Sequence, residues 1–298
     1  MQIDTPKYSV AAWMTPHNSV FDDIEQVARI GADGLGLYEG KFGDADDDAI
    51  KEALSSNGLA PTFCIPSLWT FLVGPVGGSA VERDPKARLE LICDSIPRLA
   101  AFSPLAVVVG PGTSGDAARP AGPIEAVAEG LATVADVAAE HGVRIAFELL
   151  TQRRGCPLPW LPGIVEFIDE VGRDNVGVLF DVWHSWTEPD IHEHLRKYAH
   201  RIDCVHMNDV RFEERTWADR VLPGEGRDVA VEMVAALLEA DYRGWYELEI
   251  VSDDGTYGTD LPDSLWKLPH EELLERGRRA FDDVYARAAS LATSRSTP

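Results

Sequence analysis

Glu148, Asp181, His206 and Glu249 are the residues whose types and spacing most clearly point to chemistry. Each ends a short apolar run: Ala146-Phe147-Glu148, Leu179-Phe180-Asp181, Val205-His206 and Leu248-Glu249. Intervals of 33, 25 and 43 residues separate them, each near the length of one strand plus one helix. Carboxylates buried side by side carry a large desolvation penalty, so a divalent cation is the economical explanation of the set. Two or three carboxylates and an imidazole suit one ion of Mn²⁺, Mg²⁺, Co²⁺ or Zn²⁺, and the donors do not choose among them. Singly, each residue has a plain reading: an ion-pair partner, a helix N-cap, a core histidine, an edge carboxylate. Four of them ending four consecutive strands outweigh those readings. Glu247 points the same way as Glu249 along its strand and is the rival fourth ligand; Glu249 lies nearer the carboxyl end.

The elements that must position these residues alternate regularly. Strands are expected at Ser9 to Met14, Gly34 to Tyr38, Pro61 to Ile65, Leu105 to Val109, Arg144 to Leu149, Val176 to Asp181, Ile202 to Met207 and Trp245 to Ile250. Each precedes a stretch of helical periodicity, near Phe21 to Ile30, Asp47 to Ser56, Asp84 to Ala101, Ile124 to His141, Gly163 to Val171, Ile191 to His200, Val229 to Ala240 and Glu271 to Ala289. Gly31, Gly58, Gly142 and Gly172 mark helix ends as left-handed caps would. Near-continuous apolar strands such as Ala106-Val107-Val108-Val109 suit a parallel sheet buried on both faces. Eight βα units predict an α/β fold, a single-domain (β/α)8 TIM barrel over residues 1–292, with 293–298 as a disordered tail. A doubly wound sheet fits less well, because no G-x-G-x-x-G follows the first strand. In a barrel of this kind the chemistry sits at the carboxyl ends of the strands.

Composition narrows the class of function. The 298 residues are 45% hydrophobic and 26% charged, an ordinary globular balance, and carry a net charge of −23. So acidic a surface repels phosphate backbones and anionic lipids, which argues against a nucleic-acid or membrane partner. Cys64, Cys93, Cys156 and Cys204 contain no C-x-x-C pair and read as reduced thiols. The opening residues show no basic segment followed by an apolar one, and the uncharged run from Ala53 to Val81 is broken by prolines and glycines, so a cytoplasmic protein is expected.

At this point the motifs carry a resemblance. Phe147-Glu148-Leu149, Phe180-Asp181-Val182-Trp183-His184, Val205-His206-Met207-Asn208-Asp209, the run Asp219-Arg220 through Gly224-Glu225-Gly226, and Gly244 through Glu249 resemble the xylose isomerase-like TIM barrels. That superfamily includes sugar phosphate isomerases and epimerases, inosose isomerases and dehydratases, and endonuclease IV, and the pattern is most similar to 2-keto-myo-inositol isomerase. The resemblance implies that Glu148, Asp181, His206 and Glu249 bind one metal and that Glu148 and Glu249 double as acid and base. It implies that His184 and Arg220 hold substrate oxygens. Asp209 reads as a loop residue or one that orients an imidazole.

A divalent metal gripping a carbonyl and the adjacent hydroxyl acidifies the intervening C–H and stabilises the enediolate. Carboxylates on either side can then remove and return the proton, which gives isomerisation or epimerisation of a keto-sugar or keto-inositol. Loss of a β-substituent from the same enediolate would make the protein a lyase instead, an inosose-type dehydratase or an eliminase of 3-keto-glycosides and C-glycosides. Manganese is one candidate ion. Trp13 and Glu39, with His17 and Tyr38, are expected to line the pocket after the first two strands, and Trp183, Trp186, Tyr257 and Trp266 to stack on sugar faces. The apolar loop 67–79 reads either as a lid over the mouth or as a contact in a homo-oligomer. The acidic loop after the eighth strand offers no basic cluster for a phosphate, which favours a neutral polyol or keto-sugar.

Overall fold

The computed structural model describes residues 5–72, 84–116, 118, 122–158 and 160–296. Strands β1 (Lys7–Ala11), β2 (Gly34–Gly36), β3 (Ala60–Pro61), β4 (Phe63–Cys64), β5 (Ala106–Val109), β6 (Ile145–Glu148), β7 (Val176–Asp181), β8 (Ile202–Met207) and β11 (Trp245–Leu248) pair in parallel, in the order β3-β2-β1-β11-β8-β7-β6-β5-β4. The two ends of that sheet, β3 and β4, are halves of one expected strand interrupted at Thr62, so the sheet closes on itself. The chain is a TIM barrel, and its strand boundaries lie within a few residues of those expected from the sequence.

Helices α1 (Val20–Arg29), α2 (Asp47–Ser56), α3 (Pro85–Ala100), α4 (Ile124–Glu140), α5 (Leu161–Val171), α7 (Ile191–Tyr198), α8 (Val229–Glu239) and α9 (His270–Arg295) follow the strands. Ser19 and Asp22 form a reciprocal capping box at the start of α1. All four glycines expected at helix ends have φ near +69°. Between sheet and helices lies the main apolar core. A second cluster fills the barrel axis, where Phe63, Ile65, Ala106, Val108, Ala146, Leu179 and Cys204 point inward.

Three features depart from the sequence reading. A four-residue helix, α6 (Val182–Ser185), follows β7 directly, and a small antiparallel pair, β9 (Asp209–Val210) and β10 (Arg220–Val221), stands on the rim after β8. Helix α9 continues through Thr293, Ser294 and Arg295, which the sequence assigned to the tail, because Ala292 still packs inward and Arg295 pairs with Glu232 and Glu239 of α8. Residues 297 and 298 lie outside the described residues. Among the described residues no helix is long and apolar enough to cross a membrane.

Candidate functional site

Register alone brings two of the four candidates, and the rival Glu247, level. In the parallel ladder Asp181 of β7 lies opposite His206 of β8, and His206 lies opposite Glu247 of β11. Paired positions in a sheet face the same side, so these side chains enter the barrel together. Glu148 enters from β6, and Glu249 follows two residues after Glu247. One donor atom each from Glu148, Asp181, His206 and Glu249 comes within 4.8 Å of the others, and all four residues are buried.

The His206 ring is surrounded but not hydrogen-bonded. Its Nδ1 lies 3.7 Å from Glu148, 3.7 Å from Asp181 and 3.4 Å from Glu249, and among the described residues neither ring nitrogen has a hydrogen-bond partner. A buried imidazole without a partner, facing three carboxylates, is the donor set of a divalent cation, and these residues fit one. In the protein alone, burial opposes charge on His206, yet Glu249 and the other carboxylates outweigh it and raise its pKa well above the usual value. Burial, reinforced by Glu249 and Asp181, pushes Glu148 up to about 7. Glu249 and Asp181 are buried too, but the charges of His206 and Arg220 on the first, and of Arg220 and His206 on the second, hold both low. Two carboxylates of one cluster are thus driven apart in acidity.

Glu247, the rival ligand, sits on the far side of the imidazole. Its Oε2 accepts from Ser9 Oγ at 2.7 Å and Thr62 Oγ1 at 2.8 Å, and its Oε1 lies 3.4 Å from His206 Nε2. Room for it depends on Gly36, where a Cβ would approach a Glu247 oxygen at 2.7 Å. Glu247 therefore faces the ring nitrogen that the cluster leaves free, as an orienting carboxylate does. Asp209, considered for that task, instead accepts the backbone N–H groups of Val210, Gly224 and Asp228, and so shapes the loop before α8.

Arg220 and His184 complete the floor of the cavity. Arg220 Nη1 donates to Asp181 Oδ2 at 2.9 Å and to Glu249 Oε2, with its guanidinium carbon 5.3 Å from the centre of the Trp183 ring. The backbone N–H of His184 donates to Asp181 Oδ1 at 3.0 Å, which makes Asp181 the cap of α6 as well as a member of the cluster. Burial holds the His184 imidazole neutral, with a pKa near 3. The Thr151 N–H faces its Nδ1 at 3.2 Å and Arg220 Nη2 faces its Nε2 at 3.3 Å, so both ring nitrogens look onto donors.

Above this floor lies a cavity of about 230 Å³, lined by Glu148, His184, Arg220 and Glu249 and walled by Trp13, Trp69, Trp217 and Tyr257. Trp13 is where the sequence put it, packed at 4.6 Å on Tyr38 and stacked at 6.3 Å on Tyr257. Trp183 also lines it, whereas Trp186 lies between the guanidinium groups of Arg153 and Arg227, and Trp266 is a core residue donating to Ile250 O. Glu39 does not line the cavity. Its carboxylate accepts from the Ser67 N–H at 3.0 Å and from Ser95 Oγ at 2.7 Å, and so ties the loop after β4 to α3. His17 bonds Asp254 and stacks on His270 at the exposed rim. Ser67, Leu68, Trp69 and Thr70 of the apolar loop line the cavity, while Phe71 and Leu72 are buried. Residues 73–79 of that loop lie outside the described residues. Trp69, Trp217, Arg88, Thr113 and Arg154 also line the cavity without having been singled out; their one signal is position after a strand, which they share with many loop residues.

A family model described as xylose isomerase-like TIM barrel matches residues 24–284. D-psicose 3-epimerase of Agrobacterium fabrum is 26% identical over 259 residues, 82% of this chain and 83% of that protein. Inosose isomerase of Halalkalibacterium halodurans is 24% identical over 169 residues, 55% of this chain and 56% of its own length, so that match spans about half of each protein. The crystal structure of the IOLI protein with a binding zinc atom superposes with a TM-score of 0.76 at 19% identity, covering 95% of this chain and 99% of that one.

Proposed function

The chain belongs to the xylose isomerase-like TIM barrel family, and from that premise we propose that it is a divalent-metal-dependent isomerase or epimerase of a keto-sugar or keto-inositol. The observation that carries this reading is the convergence of Glu148, Asp181, His206 and Glu249 around an imidazole with no hydrogen-bond partner. These four residues would hold the ion. When bound, it supplies a Lewis acid that polarises a substrate carbonyl and hydroxyl and so acidifies the C–H between them. The relatives' activities, 3-epimerisation of psicose and isomerisation of inosose, are of the kind such proton transfer can perform.

The proton chemistry falls to the two glutamates. Glu249, kept ionised by His206 and Arg220, is suited to take the proton. Glu148, entering the cluster from another strand, is placed to return a proton to the neighbouring carbon or to the opposite face. Their roles can exchange with the direction of the reaction. His184 presents its imidazole to the cavity, and Arg220 presents a guanidinium already fixed by two carboxylates. The aromatic wall of Trp13, Trp69, Trp217 and Tyr257 supports a second reading on the same residues: a lyase that expels a β-substituent, with the wall holding the leaving portion.

Elemental analysis should find about one divalent ion per chain, and the metal-loaded protein in D₂O should place deuterium beside the carbonyl of an inosose, a ketohexose or a 3-keto-glycoside. An aglycone or a water-loss product would select the lyase. Absence of stoichiometric metal, or turnover without solvent deuterium, would refute the proton-transfer reading.

A further inference from the structure

The arginines around the cavity are not equivalent. Arg220 is committed to Asp181 and Glu249. Arg88 is buried and donates from Nε (3.0 Å) and Nη2 (2.7 Å) to Thr70 O, and from Nη2 to Thr70 Oγ1 at 2.7 Å, bracing the loop. Arg153 bonds Glu214 at 2.7 Å and lies 5.2 Å from the ring centres of both Trp183 and Trp186. Arg154 lines the cavity, yet among the described residues its guanidinium has no hydrogen bond and no ion pair.

The position of Arg154 is built rather than incidental. It stands six residues after Glu148, in a turn whose first residue, Thr151, accepts the Arg153 N–H on its side chain and the Arg154 N–H on its carbonyl at 3.1 Å. Gly155 closes that turn at φ +77°, and the Arg154 carbonyl accepts from Gly115 N at 2.8 Å, which joins the loop after β5 to the loop after β6. Thr113, on the joined loop, lines the same cavity. Burial lowers the pKa of Arg154, and the nearest acid to counter this, Glu214, is already bonded to Arg153. A half-buried guanidinium held in a rigid wall without an acidic partner leaves its five donors to whatever enters.

We propose that Arg154 receives a carboxylate of the substrate, so that the pocket selects a keto-sugar acid or a carboxylated cyclitol over its neutral counterpart. One guanidinium matches one carboxylate through two parallel hydrogen bonds, whereas a phosphate dianion would call for further cations that the described wall commits elsewhere. The inference rests on the reading above only in taking this cavity as the substrate pocket.

The test is calorimetric binding of D-fructuronate and D-fructose to the metal-loaded protein, to Arg154→Gln and to Arg154→Lys, with circular dichroism to verify folding. The wild type should bind the uronate about 10- to 100-fold more tightly than the ketose, the range for hydrogen bonds to a charged group. That preference should vanish in Arg154→Gln and survive in part in Arg154→Lys. Equal affinities, a preference that persists in Arg154→Gln, or no binding of either sugar would overturn the proposal. Deuterium exchange in the same samples separates the two readings. Exchange without a uronate preference defeats the role of Arg154 alone, and a preference without exchange defeats the proton-transfer chemistry alone.

Discussion

Metal uptake at the Glu148 cluster should be coupled to proton release, with a stoichiometry that changes across neutrality. Before an ion binds, His206 is protonated well above its ordinary range and Glu148 is half-protonated at about pH 7. A cation needs both groups deprotonated. Below about pH 7 binding should therefore displace about two protons, and above it about one, from His206. From about pH 6 to about pH 8, Glu148 alone tightens binding about tenfold. His206, held protonated above its usual range, adds to that rise, so the apparent affinity should increase by more than about tenfold. Titrating Mn²⁺ or Zn²⁺ calorimetrically in two buffers of different ionisation enthalpy at each pH counts the protons directly. Glu148→Gln should weaken binding and flatten the profile between about pH 6 and 7. An affinity independent of pH, or a proton count unchanged in Glu148→Gln, would refute the coupling.

Glu247→Gln should keep Ser9 and Thr62 partly satisfied while weakening the hold on His206 Nε2, and should lower metal affinity about 10- to 100-fold, as measured by competition with a chelating dye. Arg220→Ala should leave about one metal per chain yet reduce kcat/KM about 10- to 100-fold on whichever substrate exchanges deuterium; an unchanged value would make Arg220 a structural counter-ion only. Gly36→Ala should destabilise the protein by about 1–3 kcal/mol in thermal or denaturant unfolding, because the new Cβ meets the Glu247 carboxylate and the fixed Phe63 carbonyl; wild-type stability would show that the barrel relaxes around it.

The alternation of strands and helices was legible because each buried strand is an apolar run and each helix carries its own stop signal, as at Gly142 and Gly172. The four clustered residues were legible for a related reason: a polar residue ending an apolar strand in a barrel has one direction in which to point. Glu247 and Glu249 share a face, and pattern could only rank them. Their different environments come from Ser9 and Thr62, more than 180 residues away in sequence. Glu39 sits where a pocket residue would sit, but Ser67 and Ser95 turn its carboxylate away, and no local pattern signals that. The rim hairpin and α6 are too short for periodicity to register. Arg154 was invisible for another reason: what distinguishes it from Arg153 is a partner that one has and the other lacks.

The carboxylate of Glu247 links parts of the chain that meet only when the barrel is complete. It touches Ser9 on β1, Thr62 at the break between β3 and β4, and His206 on β8, while its own strand, β11, is the last of the sheet's strands in sequence. Thr62 marks the seam where the sheet joins itself. The contact between imidazole and carboxylate thus requires sequence-distant strands to be docked. A partly assembled chain, a half-barrel fragment or a form opened at the seam would retain Glu148, Asp181 and His206 but lack the clamp that fixes the ring. On the proposed metal-binding reading, high-affinity uptake of the ion would report on closure, and supplying the ion would favour molecules whose seam is shut.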